Sequence, residues 1–162
     1  MKITFRYEAR PEDVEAVREI ILSSGFFYDF EVPVAVELVQ DRIDNGEMSD
    51  YHFLFADLDG KMVSYSCFGP IAATDGSFDL YWIATHNDLR GKGIGKVVLT
   101  ETHRLVREMG GRILIAETST LEKYAPTRQF YHRMGYILEA KIDNFYKEGD
   151  GKVFFVKRLQ EG

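Results

Sequence analysis

One cysteine, Cys67, stands among 162 residues, so no intrachain disulfide and no cysteine-rich metal cluster can form. That scarcity fits a reducing compartment, and the cytoplasm is the expected location. Cations are short as well: 20 Lys and Arg face 26 Asp and Glu, a formal net charge of -6. This is the wrong sign for neutralising a phosphate backbone over a broad surface, so no nucleic-acid partner is expected. Neither residues 1–10 nor any later stretch holds an apolar run of signal-peptide or membrane-span length, and no membrane association is expected. The four histidines, His52, His86, His103 and His132, lack metal-ligand spacing, so no metal is expected. Repeats, linkers and low-complexity tracts are absent too.

What is present is a core. Apolar residues make up 45% of the chain and aromatics 14%, enough for one globular domain over residues 1–162 and too little for two large ones. Alternation predicts a strand over 3–7, and Pro11-Glu12-Asp13 opens a helix whose apolar stripe is Val14, Val17, Ile20 and Ile21. Ser23-Ser24-Gly25 stops it. An aromatic connector, residues 26–30, precedes a second helical pattern over 34–43, closed by Asn45-Gly46. The period then turns to that of strands, over 51–58 and 61–68, with Asp59-Gly60 as a two-residue hairpin signal. A strand over 77–85 follows, then a glycine-rich turn, a helix over about 93–109, and an apolar strand over 112–116. A helix over about 125–134 and strands over 136–142 and 152–159, around Gly149-Asp150-Gly151, complete the order. This order predicts an α/β (α+β) fold: a mixed, largely antiparallel central sheet of about six to seven strands flanked by helices.

The turn Arg90-Gly91-Lys92-Gly93-Ile94-Gly95-Lys96 joins a strand to a helix, where backbone N–H groups converge and the helix dipole favours an anion. Arg90, Lys92 and Lys96 add cations in an acidic chain. A Walker A loop is excluded, because Gly95-Lys96 would require glycine at Arg90 and a hydroxyl at Val97. The dinucleotide fingerprint fails because Lys96 or Val98 would stand at its third glycine. Arg-x-x-Gly-x-Gly remains, against the alternative of a tight connection with exposed bases.

The stretch from Leu80 through Trp82-Ile83-Ala84-Thr85 to Gly95 resembles the acyl-CoA-binding motif of the GNAT superfamily of N-acetyltransferases. Ala125-Pro126-Thr127-Arg128-Gln129-Phe130-Tyr131-His132-Arg133-Met134-Gly135-Tyr136 resembles that family's later Phe-Tyr…Gly-Tyr helix, and the element order matches over residues 3–159. The resemblance implies the GNAT acyl-CoA acyltransferase fold and acetyl-CoA as cosubstrate. Its pyrophosphate would lie on Arg90, Gly91, Lys92, Gly93, Ile94, Gly95 and Lys96, and its pantetheine arm would pair with Ile83, Ala84 and Thr85 like an added strand. Homodimerisation through the C-terminal strands is compatible with such a fold.

Amide formation from a thioester needs a neutral amine, a stabilised oxyanion and a proton or hydrogen bond for the leaving thiolate. Tyr131 aligns with the tyrosine that relatives place near the CoA sulfur and is the candidate general acid; the alternative is a core aromatic beside Phe130. Glu117, at the end of the apolar strand, is the candidate base, with Asp79 as a substitute; the alternative is a Glu paired with Lys123 or Arg128. Phe27, Tyr28 and Tyr146 are candidate walls of the acceptor site, in the connector 26–30 and the loop 143–151. The expected activity is acetyl transfer from acetyl-CoA directly to a primary amine of a small molecule or a peptide. A noncatalytic acyl-CoA sensor and an interaction module with a vestigial site are the competing readings.

Overall fold

In a computed structural model, which describes residues 2–159, the strand pattern near the start becomes β1 (Ile3–Arg6). Residue 1 and residues 160–162 of the expected domain lie outside the described residues. Helix α1 (Asp13–Ser24) buries Val17, Ile20 and Ile21 and is closed by Gly25 in the left-handed conformation, its N–H donating to the Leu22 carbonyl. Its first residue, Asp13, is also structural. Arg6 reaches Asp13 at 2.9 Å and Asp57 at 2.6 Å, fastening β1 and α1 to β2 (His52–Leu58). Helix α2 (Glu31–Asn45) begins three residues before the expected 34, because Pro33 fits a first turn where its missing N–H costs nothing. There Glu31 accepts a hydrogen bond from the Tyr28 backbone N–H at 2.8 Å.

The remaining elements are β3 (Lys61–Pro70), β4 (Ser77–Thr85), α3 (Ile94–Glu108), β5 (Ile113–Ser119), α4 (Ala125–Arg133), β6 (Ile137–Lys147) and β7 (Asp150–Arg158). Seven strands form one mixed sheet in the order β1-β2-β3-β4-β5-β7-β6. The pairs β1–β2, β2–β3, β5–β7 and β6–β7 are antiparallel, and β4–β5 is parallel. The expected mixed, largely antiparallel sheet with helices is what the chain forms.

The chain packs as two compact units. The first comprises the residues up to Gly69 together with Trp82–Thr102. Its core is Val17, Ile20, Ile21, Ala35, Val39, Phe53, Phe55, Met62, Tyr65 and Cys67, with Phe27, Trp82 and Ala84 packed against it. The second comprises Pro70–Tyr81 and the residues from His103 on, and buries Phe78, Leu80, Val106, Leu114, Ala116, Tyr131, Tyr136, Val153 and Phe155.

Two boundaries in the second unit depart from expectation, and both matter for the site. Strand β5 runs on past Ala116 to Ser119, because Glu117, Thr118 and Ser119 stay in register with Phe154, Val153 and Lys152 of β7. Strand β6 runs on to Lys147 across an irregularity after Ile142, so residues 143–147, expected in a loop, belong to a strand. The turn falls at residues 148–149 rather than at Gly149-Asp150-Gly151, since Lys147 pairs with Asp150. Asn144 steadies it by accepting from the Gly149 N–H at 2.8 Å.

Candidate active site

In the first unit, Arg90, Gly91, Lys92 and Gly93 are exposed and lead into α3. Gly91 and Gly93 hold φ of 78° and 80°, the left-handed region, and a Cβ at either would meet nothing within 4 Å. The backbone is therefore open to close approach by a ligand, at a helix start whose first N–H groups have no carbonyl within the helix to donate to. Side-chain charge fits the same use. The first turns of α1 and α2 carry acids, Asp13 with Glu15 and Glu31, as a helix dipole prefers. Helix α3 carries none in its first turn and has Lys96 there instead, an arrangement that an anion would relieve. This loop fits a phosphorylated ligand in both shape and charge.

Its surroundings are tied down. Ser64 donates to the Ala84 carbonyl at 2.8 Å and lies 3.0 Å from the Thr85 hydroxyl, and the His86 N–H donates to the Val63 carbonyl, fixing the end of β4. Ser23, at the end of α1, accepts from the Asn87 N–H at 3.0 Å, and the Arg90 guanidinium lies 5.4 Å from the centre of the Phe26 ring. Phe27 packs edge-on against Trp82 at 5.1 Å, and Tyr28 stacks on Phe30 at 5.3 Å.

In the second unit four strands, β4, β5, β6 and β7, gather a charged, aromatic cluster. Register places Asp79 of β4 beside Ile115, two residues before Glu117 on the same face of β5. Glu117 in turn opposes Phe154 of β7, two residues from Lys152 on that face. The Lys152 Nζ donates to Glu117 Oε1 and lies 3.7 Å from the centre of the Phe145 ring, with Tyr146 and Phe154 each at 5.5 Å. Burial pushes the Asp79 carboxyl up from its usual value, the nearby Glu117 charge adds to this, and Lys152 opposes it.

Glu117 is thus paired, but with Lys152 rather than with the Lys123 or Arg128 weighed from sequence. Arg128 instead donates to the carbonyls of Ser119 and Leu121. Tyr131 lies on the other face of these strands. Its ring packs on Phe155, which opposes Ala116 rather than Glu117, and on Tyr136, at 5.5 and 5.2 Å. Burial raises the Tyr131 phenol above its ordinary value. Behind it, the Tyr136 hydroxyl shares a 2.7 Å hydrogen bond with His103 Nε2. Burial, then Lys157 and Arg107, push His103 down to about 4, so it is neutral at pH 7.

The structure therefore brings Glu117 and Tyr146 together through Lys152 and sets Tyr131 on the opposite face. Phe27 and Tyr28 stay with the loop-bearing unit. Sequence reading missed Lys152, Phe145 and Phe154 as neighbours of Glu117. Their only trace was the spacing of Lys152 and Phe154, which puts both on one strand face. Among the described residues no group of three His, Cys, Asp or Glu side chains is placed to hold a metal, and no helix is long and apolar enough to cross a membrane.

A mixed sheet with an anion-ready loop between β4 and α3 is an architecture that this chain shares with acetyltransferases of the GNAT class, as comparison with known proteins shows. Residues 49–138 match the model of the acetyltransferase (GNAT) domain. A structure from Desulfovibrio desulfuricans assigned to the GNAT acetyltransferase family is 43% identical, covers 98% of this chain and 100% of its own, and has a TM-score of 0.95. An uncharacterized N-acetyltransferase of Methanocaldococcus jannaschii is 24% identical over 91% of this chain and 86% of its own length. A Salmonella typhimurium acetyltransferase-type structure with its cofactor acetyl-CoA shares the fold at a TM-score of 0.76, with 18% identity over 100% of this chain and 96% of its own. The protein belongs to the GNAT acetyltransferase family.

Proposed function

We propose that this protein, as one domain over residues 1–162 and in the cytoplasm, transfers an acetyl group from acetyl-CoA directly to a primary amine of a small molecule or a peptide. The observation that carries this reading is the exposed stretch from Arg90 to Gly93, with Gly91 and Gly93 in the left-handed region at the start of α3. The amides and cations of that loop hold the pyrophosphate, while Ile83, Ala84 and Thr85 offer backbone to the pantetheine arm. Bound acetyl-CoA supplies the activated acyl carbon and a thiolate leaving group.

The chain's own residues do the rest. Glu117, with Asp79 beside it, takes the proton from the acceptor amine. Asp79's raised carboxyl suits it to hold that proton, and before an acceptor arrives Lys152 balances the charge of the pair. Tyr131 donates a hydrogen bond to the departing thiolate. Because burial destabilises its phenolate, the phenol keeps its proton and stabilises the thiolate through that hydrogen bond. Phe27, Tyr28 and Tyr146 contribute to acceptor selection.

The test couples binding to turnover. Acetyl-CoA and an amine panel, followed by free-thiol release, should give product. Tyr131→Phe should leave the Kd for CoA unchanged and lower kcat by about a hundredfold, the scale of a lost catalytic proton or hydrogen-bond donor. CoA binding with no turnover on any amine indicates a sensor; no CoA binding refutes the reading.

A further inference from the structure

The cluster around Lys152 has the composition of an ammonium receptor, and the chain fills it with an ammonium of its own. Three aromatic rings, Phe145, Tyr146 and Phe154, surround Nζ, and one carboxylate, Glu117, accepts its hydrogen bond. Ring faces attract a cation through their quadrupoles, more strongly as water is excluded. The Lys152 side chain is only 13% exposed. Its occupant is a primary ammonium on an unbranched four-carbon stem, so the space is already shaped to that chemistry.

The carboxylate that Lys152 engages is also the candidate base for the acceptor amine. An acceptor ammonium that pairs with Glu117 Oε1 takes the place that Lys152 now holds. The rim is open to solvent at Phe145, which is 47% exposed. A lysine stem rooted in β7 can swing outward by rotating its side-chain torsions, without breaking the strand ladder.

We infer that Phe145, Tyr146, Phe154 and Glu117 form a binding site for a primary ammonium on an unbranched alkyl chain, and that Lys152 is its internal, displaceable occupant. This rests on the acetyl-transfer reading for its consequence, that acceptors are alkylamines such as a lysyl side chain or an alkyl diamine. The acceptor's ammonium replaces that of Lys152 on the same rings and carboxylate, so displacement exchanges like for like. Lys152 acts as a selectivity filter, since an amine that does not reproduce these contacts does not dislodge it.

The site is tested without acyl-CoA. Wild type and Lys152→Ala are titrated calorimetrically with n-butylammonium, with n-butanol as the uncharged control. Lys152→Ala should bind n-butylammonium at least tenfold more tightly than wild type and ignore n-butanol, and adding Phe145→Ala should abolish the gain. Lys152→Gln, which keeps a side chain on β7, carries the same expectation should the alanine variant not fold. Equal binding by wild type and variant, or equal binding of n-butanol, overturns the site. Turnover is then measured on 1,5-diaminopentane and on a lysine-containing peptide, and the higher kcat/KM names the source of the alkylamine. Butylammonium binding with no acetylation of any amine refutes the acetyl-transfer reading while the site stands; acetylation without the binding gain refutes the site alone.

Discussion

At the start of α3 the groups on offer are those of the backbone, whereas around Lys152 they are side chains. The stretch Arg90–Lys96 presents amides, glycine φ angles and flanking cations that all come from seven consecutive residues, and it stands open from Arg90 to Gly93. The Lys152 cluster draws on β4, β5, β6 and β7 and is closed on itself by an ion pair and three rings. A shared cofactor calls for the first design, since its phosphates present the same charge whatever the acceptor. Acceptor choice calls for the second, since side chains at strand ends change without disturbing the ladder beneath them.

The two designs should break differently. Glu117→Gln removes the proposed base and the partner of Lys152 together, so kcat should fall by about a hundredfold while calorimetry finds the Kd for CoA unchanged. A parallel loss of CoA affinity would erase the distinction between the two regions. Gly93→Val works in the opposite direction. A β-branched residue at a φ of 80° costs about 1–2 kcal/mol of local strain, worth a few degrees in Tm. The backbone moves away from the anion, and the Kd for CoA should rise by about tenfold or more with kcat at saturation retained.

The smallest effect concerns pH. His103 is held near 4 in the folded chain against 6.5 in the unfolded one, so below 6.5 the unfolded state binds the extra proton. The stability that neutral His103 contributes is complete above pH 6.5 and is lost as pH falls toward 4. His103→Gln should flatten that part of the Tm-against-pH curve; an unchanged slope would assign the acid sensitivity to other groups.

This contrast also explains what the sequence made legible. The stop at Gly25, the strand-loop-helix unit and the glycine-rich turn before α3 were readable because each depends on neighbours within a few residues. The partner of Glu117 was not, because it is set by the β5–β7 register, which pairs residues 35 positions apart. That register carried β5 past Ala116, and the β6–β7 pairing carried β6 past Ile142, where local turn residues had suggested an end. Glu31 as the start of α2 was hidden behind Pro33, a residue that reads as a breaker and here sits in the first turn.

Among the described residues β7 is the last strand in chain order, yet it lies inside the sheet, with β5 on one side and β6 on the other. A nascent or clipped chain that stops before Asp150 has every other strand but leaves the apolar edge of β5 without its antiparallel neighbour, and such an edge invites pairing with foreign strands. Continuity of this sheet thus turns on one interior seam, closed by the strand that comes latest in chain order among those described.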